Sequence, residues 1–207
     1  MPTPIEPEHS FRIAQTGEIR LAPDKPWIRF SAVQEFAAGS IEYHWRAAFR
    51  AGLVPMTVDD SFEAGAGESA IRVAGLVPVA RARGPAIDKA AAVRGLAEVM
   101  WHPTGIGFCA DVTWELMPDG KVQATYDDRR TRAIVDFGFD DGGRLVSAYA
   151  AARPQVEGKT VKEYPWSGIV SDYAWFGSVR VPSRAEVTWH LPSGDFTYFR
   201  CRITSVR

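Results

Sequence analysis

The stretch IEYHWRAAFR, residues 41–50, decides the fold class. Ile41, Tyr43, Trp45, Ala47 and Phe49 alternate with Glu42, His44, Arg46, Ala48 and Arg50. A period of two is the mark of a strand with one apolar and one polar face. Short strands are expected on both sides of it. Phe11–Leu21 and Trp27–Phe36 precede it, and Val58–Glu63 and Ser69–Leu76 follow it around the run Ala64-Gly65-Ala66-Gly67.

The period then changes once. Lys89–Trp101 carries Val93, Leu96, Ala97 and Met100 on one stripe, which predicts a helix capped by Asp88 and ended by Pro103. Gly95 inside that helix costs about 1 kcal/mol relative to alanine, and points to a strand or ligand passing close by.

Downstream the period returns to two. Val112, Trp114 and Leu116 are answered by Val122, Ala124 and Tyr126 across the turn Pro118-Asp119-Gly120. Ala133, Val135, Phe137 and Phe139 lead through Asp140–Gly143 into Leu145–Tyr149. Glu186–Leu191 and Phe196–Ile203 flank Pro192-Ser193-Gly194-Asp195. Consecutive strands joined by tight turns pair antiparallel.

One helix of about thirteen residues cannot cover a sheet of about eight to ten strands. Such a sheet should curl around the helix and leave a pocket wherever the helix fails to fill it. The expected class is therefore α+β: a large curved antiparallel sheet, a half-barrel, wrapped around one principal helix, with residues 1–207 forming a single domain.

Composition narrows the function classes. With 46% apolar and 24% charged residues in 207, the chain is globular and long enough for a substantial core. A net charge of −1 lacks the basic surplus that nucleic-acid binding needs, so no nucleic-acid partner is expected. No apolar run approaches the ~20 residues of a spanning helix, and the first twenty residues hold no apolar export segment, so a cytoplasmic protein is expected, with a trimmed export segment as the other reading. Cys109 and Cys201 match no metal or redox spacing and read as free buried thiols, with a single disulfide as the other reading.

Several motifs carry a resemblance. The helix reads R-x-L-A-E-x-x-W-x-P-T through Arg94, Leu96, Ala97, Glu98, Trp101, Pro103 and Thr104. Pro165–Gly168 gives P-W-S-G; Asp172, Tyr173 and Gly177 give D-Y-x-x-x-G; Pro182, Arg184, Ala185, Glu186 and Trp189 give P-x-R-A-E-x-x-W. The chain resembles, over nearly its whole length, a bacterial domain family of unknown function with these motifs. Its shape is expected to be similar to the lipoprotein-carrier half-barrels, in which a curved antiparallel sheet wraps a helix. The resemblance brings no catalytic residues with it. Two positions depart from the family pattern: His102, where an aromatic or aliphatic residue is usual, and His44, where an apolar residue precedes the tryptophan.

Those two histidines are the candidate catalytic groups. His102 can act as a general base near neutral pH, with Glu98 one turn earlier to orient it. The plainer alternative is an exposed histidine beside an Arg94–Glu98 surface pair at i, i+4. His44 lies on the polar phase of its strand and either faces water or points inward to couple with His102. Trp45, Trp101, Trp114, Trp166 and Tyr173 are candidate ligand-binding residues, from an aromatic set that also holds Trp175 and Trp189. Neither H-x-H, H-E-x-x-H nor C-x-x-C occurs, and no metal or cofactor is expected. Ser167 reads as a turn residue outside any G-x-S-x-G elbow, and His190 as exposed. The expected function is binding of a small apolar or amphipathic ligand in the concave cavity. The alternative is a hydrolase- or lyase-type acid/base enzyme acting there on a small aromatic or lipid-like substrate through His102 and His44, and a filled, structural barrel is the third reading.

Overall fold

The computed structural model describes residues 10–51, 54–73, 77–102, 109–158 and 160–207. Among them are six strands, β1 (Phe11–Ile19), β2 (Ile28–Phe36), β3 (Tyr43–Ala51), β4 (Val54–Glu63), β5 (Ala66–Val73) and β6 (Val77–Ala82). The helix α1 (Pro85–Ala97) follows, running into a 3-10 turn at Glu98–Trp101. Seven more strands complete the order: β7 (Val112–Leu116), β8 (Val122–Asp127), β9 (Arg132–Phe139), β10 (Leu145–Glu157), β11 (Thr160–Phe176), β12 (Val179–Leu191) and β13 (Gly194–Val206). All thirteen form one antiparallel sheet in the order β6-β5-β4-β3-β2-β1-β13-β12-β11-β10-β9-β8-β7.

The contacts of α1 show that this sheet is curled. The helix packs on β4 and β5 and also on β9 and β10. In a flat sheet β5 and β9 would lie about 43 Å apart, nine steps of about 4.8 Å each. A helix about 10 Å across cannot touch both unless the sheet bends around it. The two arms meet at one rim, where Thr131 Oγ1 donates to the Gly65 carbonyl at 3.3 Å and the rings of Phe62 and Tyr126 stand 5.7 Å apart. The architecture is the α+β half-barrel that the strand pattern implies.

The inner face carries the core. On β3 and just before it, Ile41, Tyr43, Trp45, Ala47 and Phe49 are all buried, and the intervening residues face out. Gly95 makes the seating of α1 possible: a β-carbon there would collide with the Ile41 backbone carbonyl. The close approach that Gly95 implied is thus made by the start of the β3 segment.

Several expectations need correction. The helix begins at Pro85, four residues before the predicted start, because proline at the first helical position has its φ already set and has no N–H to leave unpaired. Asp88 does not cap it; its carboxylate accepts the Gly67 N–H at 2.8 Å. The sheet is wider than eight to ten strands: β6 and β11 lie where no strand was expected, and β10 to β12 run on through Pro154, Pro165 and Pro182, residues that argue against strand interiors. Ser167 is therefore not in a turn but in the middle of β11. Pro103 and Thr104, and the Ala74–Leu76 end of a predicted strand, lie outside the described residues. Cys109 and Cys201 are both free and buried.

Candidate functional site

The sheet and helix do not fill the space between them. A cavity of about 570 Å³ remains on the concave side. Its walls come from Ile87, Ala90, Arg94 and Ala97 of α1, Met100 and Trp101 of the following turn, and strands on both arms. Trp45 and Phe49 of β3, Trp166 of β11 and Trp189 of β12 are among the lining side chains. The volume falls within the ~300–1,000 Å³ of small-molecule pockets, and the lining is predominantly apolar with a few polar groups, the usual composition of such sites.

Four charged side chains line it: Asp60, Arg94, Glu98 and Arg153. Arg94 and Glu98 do pair at i, i+4, Nε to Oε1 at 2.9 Å, but not on the surface, since their side chains are only 16% and 14% exposed. Arg94 also donates to Asp60 Oδ2 at 3.0 Å and Gln34 Oε1 at 3.5 Å, and the Gln34 amide donates to Glu98. The guanidinium lies 4.8 Å from the centre of the Tyr43 ring and 4.9 Å from that of Trp45. This closed network ties α1 to β2 and β4.

Arg153 is held differently. Its Nε donates to the Ala90 carbonyl at 3.3 Å, and its guanidinium lies 5.1 Å from the Trp166 ring and 4.9 Å from that of Trp189. A bulge aims it inward. Ala150 pairs with Trp166 and Arg153 with Tyr164, so β10 carries one residue more than its partner between those pairs. Without the extra residue, simple alternation from the buried Ala148 and Ala150 would turn position 153 outward.

The predicted site residues are dispersed. Trp45, Trp101 and Trp166 line the cavity, as does Glu98. Trp101 is fixed there by an Nε1–H donated to the Pro182 carbonyl at 3.0 Å. His102 is beside the cavity rather than on it: 1% exposed, stacked against Phe11 at 5.7 Å and edge-on to Phe36 at 5.5 Å. Its Nε2–H donates to the Ala37 carbonyl at 2.9 Å. Burial pushes its pKa below the usual imidazole value, against the opposing pull of that carbonyl. Glu98 does not orient it, being bound to Arg94 and Gln34.

His44 sits on the face of β3 opposite Trp45, its side chain 45% exposed and 3.6 Å from Asp59. The structure does not bring His44 and His102 together, because the alternation that buries Trp45 turns His44 outward. Trp114 on β7 packs against Phe137 at 5.8 Å, away from the cavity. Tyr173 donates its hydroxyl to the Leu145 carbonyl at 2.8 Å and also lies outside it, while Trp175 is 68% exposed.

One arrangement was not foreseen. His190 Nδ1 lies 2.8 Å from Asp195 Oδ1, and its Nε2 lies 2.9 Å from Ser167 Oγ. This is the order of a base-activated hydroxyl. It stands on the convex face, where Ser167 is paired with Tyr149 on one side and Thr188 on the other. Backbone amides engaged in the ladder are not arranged around a developing oxyanion, which is the larger part of such catalysis. The sequence reading also missed Arg153, Asp60 and Gln34. Asp60 and Gln34 had no signal in the pattern, and the bulge hid Arg153.

Comparison with known proteins adds the following. A profile described as "Family of unknown function (DUF6544)" matches residues 5–201. No curated protein matches the chain in sequence. Among solved structures the chain is similar to a LolA superfamily protein from Nitrosomonas europaea at 10% identity and a TM-score of 0.47, covering 98% of this chain and 87% of that one. It is similar to a domain from Vibrio parahaemolyticus described as outer membrane lipoprotein-sorting, at 11% identity and TM-score 0.49, covering 96% and 84%. A DUF1329 family protein from Desulfovibrio piger follows at 10% identity and TM-score 0.38, covering 96% and 85%. These likenesses concern shape alone.

Proposed function

Because the chain belongs to a family of unknown function, DUF6544, we propose its role from the cavity itself: it binds a small apolar or amphipathic molecule on the concave side of the sheet. The observation that carries this reading is the unfilled space of about 570 Å³ between α1 and the sheet, walled by Trp45, Trp101, Trp166 and Trp189. A guest that covers those walls removes apolar surface from water, which is favourable by about 25 cal/mol per Å². Binding is favoured over acid/base catalysis by the placement of the histidines. His102 uses Nε2 on a backbone carbonyl, and His44 lies on the other face.

The whole chain, residues 1–207, is taken to act as one unit, since the strands from Phe11 to Val206 belong to one sheet. Among the described residues no helix is long and apolar enough to cross a membrane. Fractionation decides the compartment: recovery with the cytosol supports the cytoplasmic expectation, and recovery from the envelope overturns it.

The binding reading is tested by native mass spectrometry of protein purified from its host without detergent. A single small adduct that disappears on denaturation, and that dodecanol can replace, supports it. Bare chain that takes up no dodecanol contradicts it.

A further inference from the structure

Arg153 differs from the other charged groups around the cavity. Asp60, Arg94 and Glu98 satisfy one another. Arg153 makes no ion pair among the described residues, and its one hydrogen bond goes from Nε to a backbone carbonyl. A guanidinium has five N–H donors, so four, on its two terminal nitrogens, remain without a protein acceptor among the described residues. The rings of Trp166 and Trp189 hold the guanidinium by cation–π contact, which supplies no anionic partner. Arg153 is half-buried, so its free donors face the cavity and its solvent, and a guanidinium fork matches a planar carboxylate in a bidentate pair.

Two more observations point the same way. The β10 bulge exists at the one step needed to turn position 153 toward the cavity, and bulges characteristically re-aim a side chain beside a site. Trp45 and Gln155, which also line the cavity, have a buried Nε1 and a buried Oε1 without hydrogen-bond partners among the described residues. The indole N–H is a second donor lacking an acceptor, whereas the Gln155 Oε1 is an acceptor, to be met by a donor other than a carboxylate.

We propose that the occupant is a long-chain carboxylate, with its hydrocarbon along the tryptophan-lined wall and its carboxylate paired with Arg153. This rests on the reading that the cavity takes an apolar or amphipathic molecule, and it names that molecule's headgroup. A single unpaired arginine suits a singly charged group. A phosphate headgroup carries nearly twice the charge, and the second cation on the cavity, Arg94, is already engaged by Asp60 and Glu98.

The test is calorimetric titration of the full chain with dodecanoate, dodecanol, dodecylammonium and dodecyl phosphate, each below its aggregation concentration. Wild type is expected to bind dodecanoate about tenfold or more tighter than dodecanol, the scale of a charge-assisted hydrogen bond. Arg153→Gln should erase that preference by weakening dodecanoate while leaving dodecanol unchanged, which also shows that the variant is folded. Arg153→Lys should keep part of it, as a point charge without the fork.

Equal affinity of wild type for dodecanoate and dodecanol would overturn the proposal, as would tighter binding of dodecylammonium or of dodecyl phosphate. Equal loss of dodecanoate and dodecanol in Arg153→Gln would overturn it too. In each of those cases the cavity still binds, so the broader reading survives. If none of the four ligands binds wild type, the cavity reading itself fails.

Discussion

Gly95→Ala is the substitution whose sign separates this fold from a generic helix. On an exposed helix the change stabilises by about 1 kcal/mol, because alanine loses less backbone freedom than glycine. Here the added β-carbon would overlap the Ile41 carbonyl, a backbone atom that cannot rotate aside, and would stand 3.3 Å from Cδ1 of Tyr43. Overpacking of this kind costs about 1–3 kcal/mol, and a backbone obstacle belongs at the upper end. The net expectation is a loss of about 2 kcal/mol. For a chain of this length each kcal/mol moves the melting temperature by about 2–4 °C, so the midpoint should fall by about 4–8 °C. Calorimetry or circular dichroism at fixed scan rate reads this directly. A melting temperature equal to or above wild type would refute the close seating of α1 against β3.

Other outcomes follow from the same structure. Trp101→Phe should lose about 1–3 kcal/mol in urea denaturation, because the buried Pro182 carbonyl loses its donor. The folded-state pKa of His102 is lowered by burial, so the native state binds fewer protons than the unfolded chain. Its contribution is therefore complete above about pH 6.5 and is lost as pH falls through the folded value. Between pH 7.5 and 5.5 wild type should lose more melting temperature than His102→Gln; parallel curves would contradict this. Burial raises the Cys109 pKa and pushes Cys201 up to about 12, so a thiol reagent at pH 8 should label neither quickly until denaturant is added.

Much of the fold was legible in the sequence because the inner face is written in large side chains at a period of two. Ile41 to Phe49 and Ala133 to Phe137 announce their inward phase without help from tertiary structure. The single change of period at the helix implied the curl, since one helix cannot blanket so much strand. The long strands β10 and β11 were only partly legible. Pro154 and Pro165 sit in them, and a proline normally removes a ladder hydrogen bond.

The site was harder to read for a related reason. Trp45, Trp101 and Trp166 could be found because aromatic size on the apolar phase is visible in one dimension. Arg153 could not, since the inserted residue between Ala150 and Arg153 reverses the phase and no pattern marks where that happens. His102 was misjudged in kind: a polar ring before a proline looks exposed, yet its neighbours Phe11 and Phe36 come from β1 and β2, far away in the chain. The Arg94–Glu98 pair had the spacing of a surface pair, and only Asp60 and Gln34 from other strands make it internal.

The most direct test of the whole account is whether the concave side has room for a guest. Tryptophan emission should change saturably, with one equivalent of dodecanol, because Trp45, Trp101, Trp166 and Trp189 wall the space. Ala90→Phe, which fills that space from α1, should abolish the response while the protein still melts cooperatively. An unsaturable response in wild type, or an identical one in Ala90→Phe, would contradict a ligand cavity between helix and sheet.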